Sequence, residues 1–170
     1  MKSRIPEPSL LSHEGGELSL SGPALLELLE AVLTKGASFR FQAKGFSMSP
    51  FIKDGDIVTI SPVSGNMPGL GDVVAFTHPN NGRLVVHRVI GKEKDFWIIG
   101  GDNTPEADGH IPGKNVLGCV TQVEREGRRV YLGLGPERYP IALLAHKKLL
   151  IPLLLLLRRL IHPFRKRTTP

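Results

Sequence analysis

The sequence predicts a mainly β domain built on a coiled, mostly antiparallel sheet. Short runs rich in Val and Ile recur through the middle of the chain, separated by Gly, Pro, Asn and Asp, which is the pattern of strands joined by turns. Nothing with helical periodicity alternates with these runs, so a parallel α/β sheet is not expected. A leucine-rich stretch near each end of this β region predicts an N-terminal helix and a C-terminal amphipathic helical tail.

The chain is expected to open with a flexible segment, residues 1–21, which contains Pro, Ser and acidic residues but no apolar central segment of a signal peptide or anchor. Ser21 and Pro23 are suited to the start of a helix. The helix predicted over 23–35 carries an apolar stripe and ends at Gly36. We expect it to pack on the sheet, since Glu27 and Glu30 disfavour a position on anionic lipid.

The strands are predicted from alternation and β-branched content. The first candidate, Ser38–Lys44, alternates apolar and polar residues. Six further candidates follow: Ile57–Ile60, Val73–Phe76, Leu84–Ile90, Phe96–Ile99, Val116–Val123 and Arg129–Leu132. The predicted domain therefore spans residues 22–134, with 135–170 as a basic, leucine-rich helical tail.

Charge is distributed unevenly along the chain. The formal net charge is +6, yet residues 1–134 carry 14 Lys and Arg against 15 Asp and Glu, whereas 135–170 carry 8 against 1. Leucines separate the basic residues of the tail, which favours an anionic membrane surface or an acidic partner over a nucleic acid. We expect an interfacial helix. A tilted or re-entrant span and a helix docked on the protein's own sheet stay open as alternatives.

The longest uncharged run of the tail, Leu149–Leu157, is too short to cross a bilayer as a helix. The expected location is therefore peripheral at a membrane and otherwise cytoplasmic. The single cysteine, Cys119, excludes an internal disulfide and a cysteine-based zinc site, and its apolar surroundings predict a buried thiol.

Two segments contain candidate catalytic residues. Gly45-Phe46-Ser47-Met48-Ser49-Pro50 is followed by the turn Asp54-Gly55-Asp56, and these turn-forming residues are expected to present Ser47 at a strand end. A serine needs a neighbouring base to act as a nucleophile. His87, in Val86-His87-Arg88-Val89-Ile90, is the candidate, because imidazole accepts a proton near neutral pH.

Two carboxylates follow in Gly101-Asp102-Asn103 and, six residues after the first, at Asp108. Either could orient the histidine, or both could shape a turn. Asp54, Asp56 and Asp72 occur in Gly-Asp turns without the spacing of a calcium loop, so we interpret them as turn residues.

In order and spacing, these motifs resemble the signal peptidase I family, which shares its fold with the LexA-type self-cleaving repressors. The resemblance covers about Ser38–Val123 and is greatest to the archaeal and endoplasmic-reticulum branch, in which a histidine replaces the bacterial lysine. It implies Ser47 as nucleophile, His87 as general base, Asp108 (or else Asp102) as the orienting carboxylate, and no cofactor. The implied substrate is an extended peptide or preprotein with small residues near the cut.

The chain departs from this family in two respects. No N-terminal transmembrane helix is expected, although most signal peptidases begin with one, and Gly45 stands where the bacterial branch has a serine that helps to bind the oxyanion. The expected function is a serine endopeptidase that removes signal or leader peptides. The alternatives are a LexA-type self-cleaving regulator and a non-catalytic binding module on the same fold.

Overall fold

A computed structural model describes residues 12–14, 17–19, 22–63, 65 and 67–161. Every strand pair in it is antiparallel, and the main sheet has eight strands in the order β3-β4-β9-β5-β6-β7-β8, with β10 paired to β9. The predicted mainly β fold is therefore confirmed. The strands are β1 Ser12–Glu14, β2 Glu17–Ser19, β3 Phe39–Gln42, β4 Ile57–Pro62, β5 Val73–Thr77, β6 Leu84–Glu93, β7 Phe96–Gly100, β8 Ala107–Pro112, β9 Val116–Arg125 and β10 Arg128–Val130.

All seven predicted runs form strands, but the sequence did not indicate β8 or the two-stranded β1–β2 hairpin. Strand β8 has the sequence Ala-Asp-Gly-His-Ile-Pro, which lacks the β-branched alternation of its neighbours. It is a strand because it pairs with β7 along Phe96–Gly100. Tertiary pairing has overridden a weak local preference.

The first helix, α1, spans Gly22–Thr34 and packs on the sheet as predicted. Leu29 and Leu33 are buried in a cluster with residues of β4, β5 and β9, among them Val58 and Val73. The capping role predicted for Ser21 lies outside the described residues, as does most of the N-terminal segment expected to be flexible. The exceptions are β1 and β2, which pair with each other.

The C-terminal tail consists of two helices, α2 (Arg138–His146) and α3 (Leu150–Ile161), and not of the single interfacial helix that the sequence predicts. They meet at 112°, and Lys148, in the elbow formed by residues 147–149, has a φ of +57°.

A short 3₁₀ helix, Gly113–Asn115, precedes β9.

Helix α2 packs against β6 and belongs to the core, which is the docked alternative considered above. Its Ile141 forms a buried cluster with Phe51 and with Leu150 at the start of α3. Within the described residues, no single helix has the length and apolar composition of a membrane span. The bent pair α2–α3 has that length and composition only when the two helices are taken together.

Beyond Leu150, α3 exposes most of its apolar side chains. Its exposed leucines are Leu153, Leu155, Leu156, Leu157 and Leu160. The basic residues Arg158 and Arg159 lie in its last turn. The leucine-rich part of the tail is thus divided between a helix that completes the core and a helix that faces outwards.

Candidate active site

Ser47 lies in a compact turn between β3 and β4. Gly45 enters this turn with a φ of +93°, a conformation that glycine adopts without strain, and its N–H donates to Asp54 Oδ1 at 2.8 Å. Met48, which follows Ser47, is buried in the same core cluster as Leu29 and Leu33 of α1. Ser47 is therefore held between a hydrogen-bonded glycine and a side chain anchored in the core.

The aspartates of the Gly-Asp turns form hydrogen bonds that hold the fold together. Asp56 accepts two hydrogen bonds from Arg125, both at 2.8 Å, and a third from the Lys53 N–H. Burial alone would raise the pKa of this carboxyl, but the bonds from Arg125 and Lys53 outweigh it and lower the pKa. Asp72 accepts from the Gly69 N–H at 2.9 Å.

His87 and Asp108 form the shortest side-chain contact at the site, with His87 Nδ1 at 2.6 Å from Asp108 Oδ2. His87 is buried on β6, and Asp108 reaches it from β8, two strands away in the sheet. An ionised carboxylate is only an acceptor, so this contact favours the imidazole tautomer with its proton on Nδ1. Nε2 is then left with a lone pair that can take a proton.

The loop after β7 lies against both the Ser47 turn and His87. The Asn103 N–H donates to the Ser47 carbonyl oxygen at 2.7 Å, and Asn103 Nδ2 donates to the Phe46 carbonyl at 3.3 Å. At Gly101 a Cβ atom would lie 2.7 Å from the Ser47 carbonyl oxygen and 3.1 Å from His87 Nε2. The backbone of Gly101 therefore lies close to both the serine turn and the imidazole, in a space where no side chain fits.

Among the described residues, Asp102 makes no hydrogen bond to His87; it pairs with Arg88. The Arg88 guanidinium donates to both Asp102 oxygens, at 2.8 and 2.7 Å, and both side chains are fully buried. Arg88 Nη1 also donates to the carbonyls of Gly71 and Gly133. Because a buried charge needs such partners, Arg88 fixes three loops around one point beside His87.

A cleft of about 990 Å³ contains both Ser47 and His87. Its walls come from α1, from β3 and the serine turn, and from β6 with the turn that precedes it. Within the described part of the chain, neither the Ser47 hydroxyl nor its backbone N–H has a hydrogen-bond partner. Both groups are therefore available to a ligand in the cleft.

Cys119, on β9, is no competing nucleophile. Burial, with a smaller contribution from the Asp72 carboxylate, raises the pKa of its thiol to about 11. The thiol therefore stays protonated at neutral pH, and the thiolate is the reactive form. In the described ranges, no group of three His, Cys, Asp or Glu side chains could hold a metal ion.

The structure brings Ser47, His87 and Asp108 to one region and assigns Asp102 a different partner. Sequence reasoning left the choice between the two carboxylates open, and it assigned no role to Gly101 or Asn103 beyond their place in the Gly-Asp-Asn motif. The signal for Gly101 is weak, since a glycine before Asp-Asn is common in ordinary turns. Only the fold shows that this glycine lies against the serine turn.

One comparison with known proteins bears on this site. The profile of the family described as Peptidase S24-like matches residues 14–121, more than half of the chain. The matched range extends from the β1–β2 hairpin to β9 and contains Ser47, His87, Asp102 and Asp108. No curated protein matches the chain.

Proposed function

Because this chain belongs to the peptidase S24-like family, we propose that it is a serine endopeptidase in which Ser47, His87 and Asp108 act together. The 2.6 Å contact between His87 Nδ1 and Asp108 Oδ2 carries the proposal. It leaves His87 Nε2 on the side of Gly101 and the Ser47 turn. A base held in this tautomer by a carboxylate is what a serine nucleophile requires.

The proposed mechanism follows from these positions. Ser47 Oγ attacks the scissile carbonyl while His87 Nε2 takes its proton, and Asp108 stabilises the imidazolium that forms. The unpartnered N–H of Ser47 donates to the oxyanion. His87 then protonates the leaving amine, and a water molecule, deprotonated by His87, hydrolyses the acyl-enzyme.

The cleft suits an extended peptide. Strand β3 is an edge of the main sheet, and an added strand can pair with such an edge. The apolar wall includes Leu25 and Leu26 of α1, Met48 and Val86. We propose as substrates the signal or leader peptides of exported or membrane-bound proteins, with small residues near the cut.

We further propose that the protein binds a membrane surface through α3. The exposed leucines and the basic residues Arg158 and Arg159 lie on this helix. Apolar burial at the headgroup boundary and attraction to anionic lipid would act together. This arrangement would keep the cleft close to membrane-bound substrates.

A peptide-library cleavage assay with the intact protein and the Ser47→Ala variant tests the function. We expect cleavage by the wild type after small residues, no cleavage by Ser47→Ala, and labelling of the wild type alone by a serine-reactive phosphonate. A protein that neither cleaves nor reacts with the phosphonate would be a binding module on this fold.

Self-cleavage is the second candidate, and one observation favours it. Gly22 and Pro23, at the N-terminal end of α1, line the same cleft as Ser47. The intact mass of the wild type after prolonged incubation distinguishes the candidates. Loss of an N-terminal fragment at a rate independent of protein concentration, and its absence in Ser47→Ala, would indicate a self-cleaving regulator.

A further inference from the structure

A second cavity, of about 450 Å³, lies between the sheet, the loop after β7 and the elbow that joins α2 to α3. It shares no lining residue with the cleft that contains Ser47. Ile90 and Ile98 line it on the sheet side, and Ala145 and Ile151 line it on the helical side. Its volume is within the range of small-molecule sites.

The lining of this elbow cavity is mostly apolar, and its inner polar groups are already engaged. Asp102 is paired with Arg88, and the Thr104 hydroxyl donates to the Gly101 carbonyl at 3.0 Å. The remaining titratable groups, Glu106, His146 and Lys148, are exposed at the margin. A sugar or a nucleotide would find few partners inside, so the interior suits a hydrocarbon chain.

Charge at the helical margin favours an anion. Lys148 and His146 lie at the elbow, next to Lys147, and among the described residues no acidic side chain lies within ion-pair distance of either lysine. Glu137, the single acidic residue of 135–170, accepts hydrogen bonds from the N–H groups of Gly133 and Gly135. An anionic group would therefore be attracted to Lys148 and His146 at the elbow and repelled by Glu106, which also lines the cavity.

We propose that the elbow cavity binds an acyl chain of an anionic membrane lipid, with the headgroup at Lys148 and His146. Ile151 and Pro152, at the start of α3, line the cavity, and the exposed leucines of the same helix follow them directly. An apolar path thus leads from the outer face of α3 into the cavity. The bound chain would contact the loop 101–107, which leads into the strand that carries Asp108.

The chemistry can be tested without vesicles and without peptidase activity, on the full-length Ser47→Ala protein. Dodecanoate, titrated below its critical micelle concentration in a calorimeter, should bind at one site per chain. Decanoate should bind roughly 15-fold more weakly, since two methylenes are removed from the buried chain. Dodecyltrimethylammonium, with the opposite charge, should bind at least 5-fold more weakly than dodecanoate.

Two matched variants locate the headgroup. Lys148→Gln should weaken dodecanoate binding about 5-fold, as expected for one exposed ion pair, whereas Lys147→Gln should leave it unchanged. Equal affinities in the two variants would refute the headgroup position. A wild type that shows no saturable one-to-one binding would refute the site.

Filling the cavity gives an independent test. Ala145→Phe should abolish saturable binding while the far-ultraviolet circular dichroism is retained. Should that variant not fold, Ile151→Ser removes part of the apolar wall and should weaken binding about 10-fold. Undiminished binding in a folded filled variant would mean that the probe associates with the outer face of α3 alone.

The membrane source is tested with vesicles of phosphatidylglycerol that carries a photoreactive group near the end of one acyl chain. Labelling should fall on residues 90–107 or 145–152, and free dodecanoate should reduce it. Labelling confined to residues 153–160 would refute acyl-chain entry. This outcome is distinguishable from failure of the peptidase proposal, because Ser47 takes no part in it.

Discussion

Arg88 and Asp102 form a fully buried ion pair with two hydrogen bonds directly beside the catalytic candidate His87. The Arg88 guanidinium also lies over the Phe51 ring, 5.6 Å from its centroid. Phe51 belongs to the cluster that holds α2 and the start of α3. One buried cation therefore connects the Gly-Asp-Asn loop to the C-terminal helices, and its neighbour in sequence is the proposed base.

Substitution of Asp108 should mainly reduce activity, whereas substitution of Asp102 should mainly reduce stability. Asp108→Asn should lower kcat/KM about 10⁴-fold with little change in melting temperature, since it disturbs the tautomer of His87. Asp102→Asn leaves a buried guanidinium unpaired and should reduce stability by about 3–5 kcal/mol. Kinetics and urea unfolding of both variants measure this difference. A stable, inactive Asp102→Asn protein together with an active Asp108→Asn protein would exchange the two roles.

The proposed nucleophile and base should act as one unit. Ser47→Ala and His87→Ala are each expected to reduce turnover to the background while the fold is retained. The double variant should be no worse than either single variant, because both residues serve the same step. Single-turnover assays of the three proteins measure this. Additive losses, or full activity in either single variant, would contradict the mechanism.

Gly101 provides a test of spacing. A Cβ atom there would lie 2.7 Å from the Ser47 carbonyl oxygen and 2.9 Å from Thr104 Oγ1, so Gly101→Ala must push the serine turn and the loop apart. We expect kcat/KM to fall at least about 100-fold, since small displacements of reacting groups cost that much. Gly69→Ala is the control, because its Cβ would meet its nearest atom at an ordinary 3.9 Å. Similar kinetics for both variants would count against the close approach.

Much of this architecture could be predicted from the sequence, and the exceptions have physical causes. The β-branched alternation of Val73–Phe76 or Leu84–Ile90 is a local property, so these strands are recognisable without the fold. Strand β8 depends on its pairing with β7, and the choice of Asp108 over Asp102 depends on β8. The sequence shows two carboxylates, whereas the strand order determines which one reaches His87.

The tail shows the same limit. Its leucines correctly predicted helical structure, but the pattern is nearly continuous from Ile141 to Leu160. The break at the elbow depends on Lys148 in the left-handed region and on the fit of Leu150 against Phe51. Neither the backbone conformation of Lys148 nor the packing of Leu150 produces a periodic pattern in the sequence. The sequence therefore predicts a single helix.

Low pH should reduce the stability that Asp56, in the turn after Ser47, contributes to the fold. The pKa of Asp56 is lowered in the folded protein from its ordinary value of 3.8 by the bonds from Arg125 and Lys53, against burial. This group therefore stabilises the fold fully above pH 3.8, and the contribution is lost as the pH falls through the lower, folded value. Asp56→Asn should be less stable by about 2 kcal/mol at pH 7, since Arg125 is partly exposed.

Urea unfolding at pH 7 and pH 3 measures this effect, and the difference between wild type and Asp56→Asn should narrow at the lower pH. Arg40→Gln is the matched control. It breaks an ion pair with Glu124 at 2.9 Å, but Arg40 is largely exposed, so we expect a change below about 1 kcal/mol. A difference for Asp56→Asn that is equal at both pH values would show that the loss does not come from ionisation.

Two truncations of the tail should separate its core function from its surface function. Removal of residues 151–170 keeps α2 and the buried Leu150, and the product should fold and cleave soluble peptides but no longer sediment with anionic vesicles. Removal of residues 139–170 also takes Ile141 and Ala142 from the core. It should lower the melting temperature markedly, because each large apolar side chain lost from a core costs about 2–5 kcal/mol.

Salt provides the control for the membrane contact. High salt should weaken vesicle binding of the intact protein without abolishing it, since attraction to anionic lipid is screened and leucine burial is not. Vesicle binding that survives removal of 151–170 would place the membrane contact elsewhere. An unfolded 1–150 protein would instead mean that the leucines of α3, although exposed in this structure, contribute to the stability of the domain.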